Sequence, residues 1–476
     1  MSEFDLEKEI KETYKEKREP QEEKSNKDDK VIYTSYVNNE KYILEQIANT
    51  THTTLTNDNL ETEFVVFDRT SGTIDRKKEF VYKNNTFRPI MNDLITNNVI
   101  LLPSDIEEYE SENKLIKEIK EFLFEYFEVP KFFESFLPYL VMFYWVYERF
   151  PFIPYVQFLG RTGTGKTTAM EVLGSICYKP IDASGAITTA SIFRIASQWK
   201  GTLMLDEFNP GGDSYKEMLA LLKSGVSNKA VLRVEGESKK EVRAYLVKSP
   251  KLFTSEKPVN EAGFRSRIIE IMMEQNKRRV PLYRQNRFLE EAEHIRNKLL
   301  LWRLRNLDKI DLTSIEYGYE ELRCFQGRVQ QVITPVYFMA DDKAKKQILK
   351  FAKEQQNETL RERREALDGQ IFEYIYNAYS RGLQPTLSAI AEDVNKGVKF
   401  PLSDRKIAAV VRKILGFDIT RLGDQNVSTV MLEGEEDKIK ELCAYYGIEF
   451  LSKKSLVSVV SVVNEADPFE EPFWQK

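Results

Sequence analysis

The chain has 476 residues, 42% of them hydrophobic and 30% charged, with a formal net charge of -5. At about 150 residues per domain that length predicts about three domains, and the apolar content excludes a disordered polymer. The near-balanced charge excludes a globally basic nucleic-acid binder, so any basic surface must be local.

Residues 1–30 are a Lys/Glu mixture with almost no apolar content and read as a disordered charged tail. No apolar signal segment opens the chain, which points to a cytoplasmic protein. Residues 31–110 carry β-rich pieces ("VIYTSYV", "TEFVVFD", "KEFVYK") separated by turn residues, the pattern of a small β-rich N-terminal domain. A helical linker follows over 111–153. It holds the apolar run "FLPYLVMFYWVY", too short to span a bilayer and read as a buried helix. Cys177, Cys324 and Cys443 are far apart and read as buried thiols, and His52 and His294 are isolated. Zinc sites, disulfide scaffolds and Ser-His or Cys-His nucleophile systems are thereby disfavoured.

Over 154–280 strands and helices alternate, the mark of a parallel sheet in an α/β layer fold. Within it, "VQFLGRTGTGKTTAM" fits G-x-x-x-x-G-K-[ST] through Gly160, Gly165, Lys166 and Thr167, between an apolar strand and a helix. Glycines let backbone N–H groups curl round a polyphosphate, and the helix N-terminus adds its positive end. The expected ATP-binding set is Gly160, Thr162, Gly163, Thr164, Gly165, Lys166, Thr167 and Thr168. Forty residues on, "KGTLMLDEFN" ends an apolar strand in Asp206 and Glu207. Asp206 and Thr167 are expected to hold Mg²⁺, and Glu207 to polarise the attacking water, so hydrolysis is implied as well as binding. Residues 281–367 read as a helical lid. Residues 368–448 give three short helices, with Ser403 placed to cap the third, and two strands around "GDQN": a winged helix-turn-helix pattern. Arg405, Lys406, Arg412 and Lys413 would lie on the exposed side of the third helix, to meet DNA or as the solvated face of a protein-docking module. Residues 449–476 read as a flexible acidic tail.

In order and spacing, "GRTGTGKTT", "LMLDEFN", the strand–turn–strand "AVLRVEGESKKEVRAYLV", "SPKLFTSEKP" and "GFRSRIIEIMM" resemble AAA+ ATPases. More narrowly they resemble MCM-like and superfamily 3-like replicative helicases of mobile elements and viruses. The resemblance covers about Pro154 to Ile271 and extends more weakly to about Lys350. It implies an arginine finger at Arg267, with Arg265 as second candidate, that acts on a neighbouring subunit and so requires a ring, usually a hexamer. It further implies sensor 1 at Ser255 and sensor 2 at Arg328, in a lid helix that Pro335 would kink. The strand–turn–strand takes the place of a pre-sensor 1 hairpin, with Lys239 or Lys240 on the DNA backbone and Arg233 and Arg243 in support. The function expected is an ATP-dependent DNA helicase or translocase, with ATP and Mg²⁺ as cofactors. Its partners would be DNA, further copies of itself and replication proteins, with no membrane. The alternative is an origin-binding initiator or loader of the Orc/Cdc6 type that uses ATP as a switch.

Overall fold

The computed structural model describes residues 30–49, 60–183, 188–208, 212–235, 241–259, 261–311, 313, 319–396, 401–422 and 427–451. Both tails, the hairpin tip with Lys239 and Lys240, and the turn at 423–426 lie outside the described residues. The chain forms two compact units. The first runs to Glu321 and takes in Gln330–Lys345; the second comprises Leu322–Val329 and Lys346 onward.

The first unit begins with seven strands: β1 (Lys30–Tyr33), β2 (Tyr36–Asn38), β3 (Tyr42–Ala48), β4 (Thr62–Asp68), β5 (Ile74–Lys77), β6 (Phe80–Tyr82) and β7 (Asn85–Arg88). They make a four-stranded antiparallel sheet, β2-β3-β4-β5, and a three-stranded sheet, β1-β7-β6. Turn residues between short alternating strands are what the sequence of this region supplies. Two helices follow. Ser111 caps α1 (Glu112–Tyr126), its hydroxyl accepting from the Lys114 N–H. Helix α2 (Lys131–Tyr144) carries the apolar run and is buried from Phe136 to Tyr144. Among the described residues, no helix is long and apolar enough to cross a membrane.

Next come β8 (Tyr155–Leu159), α3 (Lys166–Ser175), β9 (Ile181–Asp182), α4 (Thr189–Trp199), β10 (Leu203–Leu205) and α5 (Gly212–Gly225). They are followed by β11 (Ala230–Glu235), β12 (Glu241–Leu246), β13 (Lys251–Ser255) and β14 (Ile268–Met272). Strand β8 is buried at every residue. A strand hidden on both faces belongs inside a parallel sheet covered by helices. It sits second in a five-stranded sheet of order β14-β8-β13-β10-β9, parallel throughout. Strands β11 and β12 leave the sheet as an antiparallel hairpin, Ala230 opposite Leu246 and Glu235 opposite Glu241. Helix α6 (Asn286–Asn306) packs on α1, with Phe122 and Phe288 stacked at 5.4 Å.

A buried ion network joins the N-terminal strands to this core. Glu45 on β3 pairs with Lys179 at 2.9 Å and with Arg303 of α6 at 2.8 Å, all three at most 1% exposed. Arg303 also binds Glu148, and the Tyr178 hydroxyl donates to Glu45 at 2.9 Å. Two acids and two bases cancel, which is the condition for burying them.

Helix α7 (Gly327–Met339) contains Pro335, and α8 (Asp342–Glu365) is long and charged. The second unit then places α9 (Leu367–Ser380), α10 (Leu387–Val394) and α11 (Asp404–Lys413) around Ile371, Ile390, Ile407 and Val411. Strands β15 (Ile419–Leu422) and β16 (Val427–Val430) pair antiparallel, and α12 (Glu436–Tyr446) closes the core with Ile439. Ser403 holds the cap position of α11, but its side chain makes no capping hydrogen bond. Cys177 and Cys443 are buried as expected; Cys324 is exposed, because it lies in the turn before α7 rather than in an element.

Candidate functional site

The glycine-rich loop leaves the C-terminal end of β8 and enters α3 at Lys166. Gly163 and Gly165 have φ of 82° and 81°, a region where an L side chain is strained. A Cβ on Gly160 would lie 2.7 Å from the Met273 carbonyl oxygen. The loop therefore needs glycine both for its turn and for its close seat on the edge strand. The Met273 N–H donates to Leu159 O at 2.7 Å and the Gly160 N–H to Ser255 O at 3.3 Å. At its crest, Lys166 Nζ and Thr164 Oγ1 both donate to Arg161 O, at 2.9 and 2.8 Å. Thr162 Oγ1 donates to Glu256 Oε1 at 2.5 Å. Beyond β14 the chain returns over α3, where Arg284 grips Glu171 at 2.8 and 2.6 Å.

Across from α3, β10 ends at Leu205 and Asp206 follows it. Thr167 Oγ1 lies 3.1 Å from both Asp206 carboxylate oxygens. Thr254 Oγ1 donates to Asp206 Oδ1 and accepts from the Glu207 N–H at 2.9 Å. The Glu207 N–H also meets Asp206 Oδ1 at 3.0 Å, and the Phe208 N–H donates to Thr254 O at 2.8 Å. These bonds hold Glu207 at φ 50°. A non-glycine residue there costs on the order of 1–3 kcal/mol and persists only where its surroundings over-determine it. The Glu207 side chain is exposed.

The cluster thus brings Lys166, Thr167, Asp206 and Glu207 together at the C-terminal edge of the sheet. It offers N–H donors and an ammonium to a polyphosphate, and a hydroxyl–carboxylate pair to a hard divalent cation. Thr254, which sequence reading passed over, is the residue that joins Asp206 to Glu207. The expected Ser255 faces elsewhere. Its hydroxyl donates to Lys257 O at 2.8 Å and accepts from the fully buried Gln157 Nε2 at 2.6 Å. A glutamine inside an otherwise apolar strand was the available signal for that second contact.

Arg267 precedes β14, at the opposite end of the sheet from the loop. It is half-buried, with its guanidinium 3.5 Å from Lys223 O. Arg265 is held by Glu270 in a two-point pair at 2.6 and 3.1 Å. Arg328 is an exposed residue of α7 in the second unit. On the hairpin, Arg233 stacks on Phe193 with its guanidinium carbon 4.7 Å from the ring and lies 3.6 Å from Glu217, while Arg243 is exposed. On α11, Arg405, Lys406, Arg412 and Lys413 are all exposed, opposite buried Ile407, Val410 and Val411. The seven-residue spacings Arg405–Arg412 and Lys406–Lys413 put these four on one face two turns long.

No protein-family model matches the chain, and no curated protein matches it. Among solved structures the chain is similar to apo structures of the NrS-1 C-terminal region. One A-form structure gives a TM-score of 0.38 at 11% identity, covering 74% of this chain and 82% of that one. A second apo structure gives 0.38 at 10% identity, covering 77% and 93%. Another A-form structure gives 0.38 at 11% identity, covering 78% and 94%. A likeness this distant leaves the functional reading to the geometry of the site.

Proposed function

We propose that this chain is an ATP-dependent DNA helicase or translocase that works as a ring, in the replication of a mobile element, virus or plasmid. On this reading the core is a P-loop AAA+ module and 368–448 a winged helix-turn-helix. The observation that carries the proposal is the contact of Thr167 with Asp206 beneath a glycine-seated loop, with Glu207 fixed beside it by Thr254.

In the mechanism that follows, backbone N–H groups of the loop and the first turn of α3 bind the phosphates. Lys166 exchanges the Arg161 carbonyl for phosphate oxygens. Thr167 and Asp206 would hold Mg²⁺, which when bound supplies charge neutralisation across the β- and γ-phosphates. Glu207 orients a water for attack and takes its proton. Thr254 fixes the direction of both carboxylates. Arg267 faces away from its own loop. Strand β8 spans five residues, so the two ends of the sheet lie roughly 16 Å apart. An arginine placed there serves the phosphates of a neighbouring copy, which is why the reading includes a ring. The hairpin lysines, Lys239 and Lys240, and the basic face of α11 would contact DNA phosphates without regard to sequence.

The test is a fork-unwinding and ATP-hydrolysis assay on wild type, Lys166→Ala and Lys239→Ala/Lys240→Ala. Wild type is expected to unwind forks of one polarity. Lys166→Ala should lose hydrolysis by ~10²-fold or more. The hairpin variant should hydrolyse ATP yet fail to unwind. Wild type that hydrolyses ATP but opens neither polarity of fork would replace this reading with the initiator. Normal unwinding by the double variant would remove the hairpin from the mechanism.

A further inference from the structure

The hairpin has two unlike faces. Cross-strand partners share a face, so Val231, Arg233, Arg243 and Tyr245 lie on one side and the alternate pairs on the other. The first side leans on the core: Tyr245 is 8% exposed, its ring 6.3 Å from Phe193, which also carries the Arg233 guanidinium. The other side consists of three pairs, Ala230 with Leu246, Leu232 with Ala244, and Val234 with Val242. Every one of these six residues is apolar and exposed. Leu232 is 67% exposed, Val242 64%, Val234 58% and Leu246 51%.

A face of this composition is an unfinished contact. Half-solvated ribbons put polar residues outward, and a bare apolar ribbon is an aggregation hazard that proteins do not leave uncovered. Nucleic acid is a poor occupant, because the face has no cation for phosphate and no aromatic ring for a base to stack on. The face measures about 20 Å by 10 Å, far below the roughly 800 Å² per partner of a stable interface. It must therefore be one part of a larger contact. The larger contact already argued for is the one that brings Arg267 to another subunit's phosphates.

We infer that the outward face of the β11–β12 hairpin is covered by a second copy of this chain. The described body of the hairpin, Ala230–Glu235 and Glu241–Leu246, then packs against a neighbouring subunit. This rests on the ring reading above, and the experiment separates the two.

The experiment measures assembly of the full chain with ATP and Mg²⁺ by sedimentation velocity and mass photometry. Wild type is compared with Leu232→Thr/Val242→Thr, which keeps β-propensity, and with Leu232→Glu/Val242→Glu. Thermal midpoint and binding of a fluorescent ATP analogue report whether each variant is folded. Folded variants that bind the analogue as wild type does, but need at least ~10-fold higher concentration to assemble, a shift of ~1.4 kcal/mol, support the inference. Wild-type assembly by both variants overturns it and leaves the ring reading standing. Unchanged assembly with a ~10-fold loss of single-stranded DNA affinity at fixed salt also overturns it, and assigns the face to nucleic acid. A wild type that stays monomeric at every concentration overturns the ring reading and the inference together.

Discussion

Thr254 and Ser255 are neighbours on one strand, each buried, each with a hydroxyl, yet their surroundings differ entirely. Thr254 bridges Asp206 and the Glu207 amide, while Ser255 bridges Gln157 and the Lys257 carbonyl. Successive residues on a strand point to opposite sides, and a one-residue shift in register exchanges their roles. Spacing along "KLFTSEKP" does not fix that register, so the resemblance puts sensor 1 at Ser255, whereas the hydroxyl that touches Asp206 is that of Thr254. Motif and register thus differ in legibility: Lys166, Thr167 and Asp206 come from a local pattern, whereas Thr254 depends on how β13 sits between β8 and β10. The expected outcome is that Thr254→Ala lowers the kcat of ATP hydrolysis about 10- to 100-fold, roughly 1.4–2.7 kcal/mol, with a smaller effect on KM. Thr254→Ser should recover most of it. Ser255→Ala should leave hydrolysis within about twofold and cost about 1 kcal/mol of stability by orphaning a hydrogen bond to Gln157. Steady-state kinetics and thermal midpoints measure both; the reverse pattern would return the role to Ser255.

The hairpin is the element most legible in the chain, since two β-rich runs flank a charged turn between the strand that leads into Asp206 and the strand holding Thr254. Its base was not legible. Lys248 and Lys251 are buried there, 8% and 0% exposed, which a charged side chain does not announce. Lys248 Nζ donates to Phe150 O at 2.6 Å; Lys251 Nζ donates to Val247 O and Ser249 O at 3.0 and 2.9 Å, over the Tyr155 ring. Each lysine satisfies carbonyls where the hairpin rejoins the sheet. Burial without a carboxylate partner drives the Lys251 ammonium down from 10.5 to about 7. Between those values the folded chain binds fewer protons than the unfolded one, so stability rises with pH from about 7 upward and is flat below it for this group. Lys251→Met removes that group, and with it this part of the slope. The thermal midpoint of wild type should therefore climb more steeply than that of Lys251→Met between pH 7 and 9, by an amount equivalent to a few kcal/mol at most. Parallel curves for the two proteins would show that Lys251 stays charged in its carbonyl cage. The slope is the readout, because methionine also strips hydrogen bonds from Val247 O and Ser249 O.

At the scale of the whole molecule, two features decide what one copy can do alone. The first is the Glu45–Lys179–Arg303–Glu148 network, which makes the N-terminal strands and the parallel sheet one body. Breaking one partner of such a buried pair costs about 3–5 kcal/mol, so the β-rich segment is not a freely tethered module. Nothing local announces this, since Glu45 and Arg303 are 258 residues apart. The second is the placement of Arg267 and the glycine-rich loop at opposite ends of β8 and β14. Strand pairing Ile268 to Tyr155 and Met272 to Leu159 fixes that separation. If Arg267 completes the site of a neighbour, Arg267→Ala and Lys166→Ala should each abolish hydrolysis as pure preparations. Mixing the two then restores it, because a subunit with an intact Lys166 can sit beside one with an intact Arg267. Random mixing in equal amounts makes about a quarter of the head-to-tail interfaces complete. Hydrolysis should accordingly rise from background to a substantial fraction of wild type on mixing. An arginine that only supports the Lys223 carbonyl within its own chain gives no recovery, and recovery by Arg265→Ala instead of Arg267→Ala would move the finger two residues back, at the expense of the pair with Glu270.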